Sequence, residues 1–192
     1  MSVLIPNPVL GTPSTPTFGG IARELRVQIY KNVFGQKGTQ AFYITSRMPA
    51  VIRIAHPYIL EARRPFFETY TFHDSVDRLD FSKLITWLED IISTVDAADI
   101  RAIRVHILSI GHLRHSLERL WLLVRCCRHR LSHRCTIQAF PDRTNHPQGW
   151  YVTWQTKFDE AMTLARRGRL DNWNTAELRR RFDAWKRAAA FP

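Results

Sequence analysis

The densest group of chemically competent side chains is Cys126-Cys127-Arg128-His129-Arg130-Leu131-Ser132-His133-Arg134-Cys135. Thiolates and imidazoles are the ligands zinc prefers, and His129 and His133 stand one helical turn apart. The Cys-x-x-Cys knuckle is missing, and adjacent cysteines on a helix point in different directions. Arg128, Arg130 and Arg134 would also repel a dication. Cys127 is therefore expected in a core and the histidines in solvent, with no metal and no other cofactor. His112, His115 and Ser116 have the types of a hydrolase fragment, but no Gly-x-Ser-x-Gly elbow or orienting acid accompanies them. Gly19-Gly20 lacks the lysine and hydroxyl residue of a phosphate loop. Glu89-Asp90, Asp96 and Asp99 read as polar helix-face and cap positions, and Asp80 as a helix cap. The chain is expected not to be an enzyme.

What remains is binding chemistry. The net charge is +11, and residues 1–100 hold equal numbers of acidic and basic side chains, so the whole excess belongs to residues 101–192. Charge placed this way suits an acidic partner or nucleic acid. Arg104, Arg125, Arg128, Arg130 and Arg134 make up the candidate basic surface. Arginines also interleave with Trp150-Tyr151, Trp154, Trp173 and Trp185, the combination that holds single strands by phosphate contact and stacking. At helical or strand spacing, these aromatic residues equally suit a core.

Ile21, Leu25, Ile29 and Val33 recur every four residues, which predicts a helix ending near Gly35, followed by a turn at Gly35-Gln36-Lys37-Gly38. Residues 47–66 are partly helical by pattern, with Pro49, Pro57 and Pro65 as interruptions. Phe67 to His73 mixes aromatic and β-branched residues and suggests a short strand. Phe81, Leu84, Ile85, Leu88, Ile91, Ile92 and Val95 share one face of a helix from about Ser82 to Val95, capped by Asp80. Strict alternation in Ile103-Arg104-Val105-His106-Ile107 predicts a strand with Arg104 and His106 facing out. Leu113, Leu117, Leu120, Trp121, Val124 and Leu131 define another helix, and Thr136-Ile137-Gln138-Ala139-Phe140 another strand, ended by Pro141. Helix, strand, helix, strand in this order implies parallel pairing under helices.

Pro141 to Gly149 reads as a polar loop, and the alternation of Trp150, Val152 and Trp154 as a third strand. Phe158, Ala161, Met162 and Ala165 predict a helix stopping at Gly168. Asn174 caps a last helix carrying Leu178, Phe182 and Trp185, with Glu177 at the reciprocal position. The fold class is thus α/β (or α+β): an N-terminal helical segment, then alternating helices and short strands in a small, mainly parallel sheet.

With 192 residues, 45% of them hydrophobic, the chain can bury one sizeable core. Pro6, Pro8, Pro13 and Pro16 make residues 1–18 an expected disordered tail rather than a signal peptide. No apolar run is long enough to span a membrane. Three cysteines crowded into ten positions do not make a secreted disulfide framework, so a reducing compartment, cytoplasm or nucleus, is expected.

Gly20-Ile21-Ala22-Arg23-Glu24-Leu25-Arg26-Val27-Gln28-Ile29-Tyr30 resembles the Leu-Pro-x-Glu-Leu-Arg-x-x-Ile-Tyr opening of the F-box-like proteins of filamentous fungi. Arg53-Ile54 and Glu61-Ala62 through Phe66-Phe67 and Thr71-Phe72 resemble that family's second block, and Trp87-Leu88 and the strand from Ile103 to Ile107 follow where such proteins have a Trp-Leu helix and an Arg-rich strand. Ala22 departs from the pattern in replacing its proline, and Ala55 to Ile59 lack its Arg-x-x-Arg. The resemblance implies a helical docking segment over 19–72 and an α/β partner-binding region over 73–192, the two expected to be continuous as one domain. It further implies docking of a Skp-type adaptor of a cullin–RING ubiquitin ligase through Ile21, Leu25, Ile29 and Tyr30.

Overall fold

The computed structural model describes residues 17–35, 41–46, 52, 57–142 and 148–189. The expected tail, apart from Thr17 and Phe18, lies outside these residues, as do Gln36 to Gly38, Pro49 and Arg53 to His56. After a single 3-10 turn at Phe18–Gly20 come helix α1 (Arg23–Gly35), strand β1 (Ala41–Tyr43), helix α2 (Pro57–Thr69) and strand β2 (Thr71–Val76). Helix α3 (Ser82–Thr86) widens into a π-helical turn (Trp87–Ile91), followed by α4 (Thr94–Asp99), β3 (Ala102–Ile107), α5 (Leu113–Arg130) and β4 (Thr136–Pro141). Helices α6 (Gln148–Leu170) and α7 (Thr175–Ala188) complete the described chain.

The four strands form one parallel sheet in the order β1-β2-β3-β4, an α/β architecture as expected. Every crossover steps to the next strand in the same direction. Parallel crossovers are right-handed almost without exception, so this order sends the connecting helices to one face. The registers agree. Phe42, Phe72, Ile103 and Ile137 align across the sheet, and Phe72 packs on Phe66, Phe67 and Trp87 from the helical layer. Val105, Ala139, Val76 and Ile107 continue that buried face. The proposed boundary between residues 72 and 73 falls inside β2, whose strand joins both halves in one sheet.

Several local expectations change. Phe67 is helical, because Pro57 starts α2 at a position that needs no N–H and the apolar face of α2 carries on through Phe66 and Phe67. The expected helix from Ser82 to Val95 breaks at Ile92, which is extended, and Ser93 starts α4 by accepting the Asp96 N–H at 3.2 Å. Val95, expected inward, is exposed as a result. Trp150 to Trp154 belong to α6, not to a strand, and Gln148-Gly149 are helical rather than loop. The spacing Trp154, Phe158, Ala161, Met162, Ala165 extends one buried helical face back through that segment, so a long period outweighs three alternating residues.

Gly168 does not end α6. It lies inside the helix, where an added Cβ would meet Leu178 at 3.1 Å and Trp173 at 3.2 Å, so its smallness lets α7 approach. Asn174 caps α7 as expected, accepting the Glu177 N–H at 2.8 Å, while the Glu177 carboxylate turns to Arg180 and Arg181 instead of reciprocating. Asp80 accepts from the Ser82 N–H at 3.1 Å at the start of α3.

Candidate functional site

Helix α1 divides the residues expected to dock a partner. Tyr30 turns inward, packing edge-on against Phe18 and stacking on Phe34, and Ile21 is half-buried. Leu25 and Ile29 stay in solvent at 59% and 39% exposure, and Val33 extends their stripe at 59%. The buried member of the motif is charged. Arg26 donates from Nε to Glu61 Oε2 at 2.9 Å and from Nη2 to Glu61 Oε1 at 2.8 Å, and its third nitrogen donates to the Ile21 carbonyl. This bidentate pair ties α1 to α2 and joins the two sequence blocks that carry the family resemblance. The Arg26 hydrogen bonds hold the Glu61 carboxyl below the ordinary carboxylate range. Beside the pair, a groove of about 500 Å³ opens between α1 and α2, bordered by Val27, Lys31, Leu60 and Arg64.

The five arginines of the expected basic surface separate in the same way. Arg104, Arg125 and Arg134 are exposed. Arg128 and Arg130 are not free surface charges. Arg128 donates to the Trp173 carbonyl, and Arg130 donates to the carbonyls of Leu88 and Glu89, each at 2.7 Å, and of Ile92 at 3.0 Å. The π-helical turn and its end leave carbonyls without helical partners, and a guanidinium fork satisfies several at once. Such use is invisible in sequence, where an arginine that caps another segment looks like any other.

Cys126, Cys127 and Cys135 are buried as free thiols. Burial pushes the Cys126 and Cys135 thiols up to about 12 and raises Cys127 as well, so none is a ready nucleophile. His129 and His133 are exposed. Among the described residues no three His, Cys, Asp or Glu side chains converge as a metal site. The Ser116 hydroxyl is buried and directed to the carbonyls of Ile110 and His112. Asp74 is buried on the helical side of β2; its Oδ1 accepts the Ser75 N–H at 2.9 Å, while Oδ2 has no partner. Burial raises its carboxyl above the ordinary range.

The other face of the sheet carries a constellation of which the sequence showed only Arg104 and His106. Tyr43, His73, Arg104 and Gln138 align in register across all four strands, and Ser75, His106 and Phe140 form the next row. Tyr43 and His73 have ring centroids 5.4 Å apart, His73 and His106 lie side by side in nearly parallel planes with centroids 5.2 Å apart, and His106 and Phe140 lie 5.8 Å apart. The guanidinium of Arg104 sits over Phe140 at 5.4 Å. His73 Nδ1 and His106 Nε2 are 2.9 Å apart, a hydrogen bond in which one ring donates and the other accepts. Burial, His106 and Arg104 together hold His73 below its ordinary value. The signal for this face was the period-two alternation of β3, which needed the strand registers before it reached Tyr43, His73 and Phe140.

No protein-family model, no curated protein and no solved structure matches this chain. Among the described residues, no helix is long and apolar enough to cross a membrane.

Proposed function

We propose that this chain is a non-enzymatic protein-interaction module that docks a Skp-type adaptor through helix α1, as a substrate adaptor of a cullin–RING ubiquitin ligase. The observation that carries the reading is the solvent-facing stripe Leu25, Ile29 and Val33 on a helix already anchored by Arg26 to Glu61. Tyr30 and Phe34 already pack α1 inward, so Leu25, Ile29 and Val33 are not needed to hold it. Here the inward seam is Arg26, Tyr30 and Phe34, and the apolar residues are left over for a partner. Exposed anchors one turn apart suit insertion into a hydrophobic groove. The resemblance of residues 20–72 to F-box-like sequences supplies the adaptor as the occupant.

The test is capture of a purified Skp-type adaptor by the full chain. Each apolar anchor contributes roughly 1.5–3 kcal/mol when fully desolvated, so Ile29→Asp abolishes capture. Because Ile29 is exposed, the same substitution leaves the circular dichroism spectrum and the melting temperature unchanged. A wild-type chain that captures no adaptor defeats the reading. So does an Ile29→Asp chain that still captures it.

A further inference from the structure

We infer that the open face of the sheet is a stacking platform for single-stranded nucleic acid, in which the exposed Tyr43, Arg104 and Phe140 meet the ligand and His73 and His106 fill the space between them. Parallel sheets are ordinarily covered on both faces; where one face is left open, as in solenoids, it is a binding surface. Here the helices take one face and the other keeps Tyr43 at 51% and Phe140 at 37% exposure, with His106 half-buried and His73 buried between them. These are flat side chains. The run Tyr43, His73, His106, Phe140 crosses from one sheet edge to the other, with neighbouring rings 5.2–5.8 Å apart. Strands spaced by roughly 4.8 Å put the outer two rings about 14 Å apart, room for two or three bases.

Charge favours the same occupant. The aligned positions of this face from Ala41 to Phe140 include no carboxylate, and they include Arg104. The layer that Arg104 forms over Phe140 offers a base a planar cation and a phosphate a fork of donors. Exposed Ser75, Thr136 and Gln138 supply neutral hydrogen bonding at the rim. An added peptide strand would pair at an edge of the sheet, using backbone groups; it would not need rings on the face. A duplex presents stacked bases that these rings cannot reach.

The experiment measures fluorescence anisotropy of labelled 20-mers of oligo(U), oligo(dT) and a DNA duplex with the full chain, at low and moderate salt. Both single strands are expected to bind more tightly than the duplex, and the better of the two identifies RNA or DNA as the preferred form. Phe140→Leu and Tyr43→Leu keep apolar bulk but remove the stacking ring, and each lowers affinity by roughly 5- to 100-fold. Phe140→Tyr restores it. Arg104→Gln weakens binding and lowers its salt dependence, whereas Arg167→Gln and Arg187→Gln, exposed on α6 and α7, change it less than about twofold, as surface charges away from the stacking rings. Should a leucine variant fail to fold, Arg104→Gln decides, since that side chain is exposed. Four outcomes overturn the proposal: no binding of either strand at low salt, preference for the duplex, equal losses at Arg167 and Arg104, or equal displacement by an oligoglutamate. Ile29→Asp leaves strand binding unchanged, so this proposal and adaptor docking fail separately.

Discussion

The two faces of the one sheet are built from the same strands and differ in almost every physical respect. On the helical face, Phe72, Ile103, Val105 and Ala139 are fully buried beneath α2, α5 and α6, and the cost of ordering them is offset by apolar area removed from water. On the open face, aromatic and histidine rings contact one another across the strands while Tyr43, Arg104 and Phe140 remain in solvent. Burial accounts for the first face without any partner. It does not account for the second, where Tyr43 and Phe140 stay exposed beside a cation and none of the described helices covers them. Helix α1 repeats the contrast on a smaller scale, with a buried Arg26 seam and an exposed Leu25, Ile29, Val33 stripe.

The largest effect expected is on the helical face. Leu88→Ala and Leu120→Ala each remove a fully buried side chain, and each should cost about 2–5 kcal/mol in chemical denaturation. A loss below about 0.5 kcal/mol at both positions would mean that the helical layer is not the core.

Next in size is the pair between α1 and α2. Arg26→Ala strands Glu61 half-buried and without its bidentate donor, and the melting temperature at neutral pH should fall. The sign of the pH dependence follows from the lowered Glu61 carboxyl. Its stabilisation is present above the unfolded value, near 4.3, and is lost as pH falls through the lower folded value. Wild type and Arg26→Ala should therefore converge in stability in strong acid, and a constant difference between them down to pH 2 would contradict the pairing.

Asp74 tests the helical face from the opposite direction, because it is a buried carboxyl with one oxygen unpaired. A raised carboxyl favours folding below the unfolded value, near 3.9, and loses that advantage as pH rises through the folded value. Asp74→Asn keeps the acceptor for Ser75 and cannot ionise. It should raise the melting temperature at pH 7 and have no effect near pH 3; a destabilised variant at neutral pH would show that the carboxylate has a role in the fold.

The smallest effect belongs to the open face. Phe140→Ala should change stability by no more than about 0.5 kcal/mol, the range of surface substitutions, although Phe140 is as apolar as the core phenylalanines. A cost matching that of Leu120→Ala would erase the distinction between the faces.

What could be read in the sequence was whatever a single element expresses through its own spacing. The alternation from Ile103 to Ile107 placed Arg104 and His106 outward, Leu117, Leu120, Trp121 and Val124 marked the inward face of α5, and the parallel α/β class followed from the order of such elements. Asn174 capped α7 because a cap is a contact within a few residues. Short elements were lost: β1 has three residues, too few for a period, and is held in place by its registry with Thr71, Phe72 and His73. Ser93 is not legible as a cap in the sequence, because the apolar residues around it keep a helical period across the break.

Spacing shows that a helix or strand has an apolar side. It cannot show which side meets the rest of the chain when two are available, and that choice is made by contacts between residues far apart. Arg26 finds Glu61 across 35 positions and turns the apolar stripe of α1 outward; Arg130 finds the carbonyl of Leu88 across 42 and leaves the basic surface. Likewise, only the pairing of β1 to β4 in one direction gathers Tyr43, His73, His106 and Phe140 onto a single open face. The local elements were determined by the sequence as read along the chain, and the surfaces available to a partner were decided by tertiary contacts.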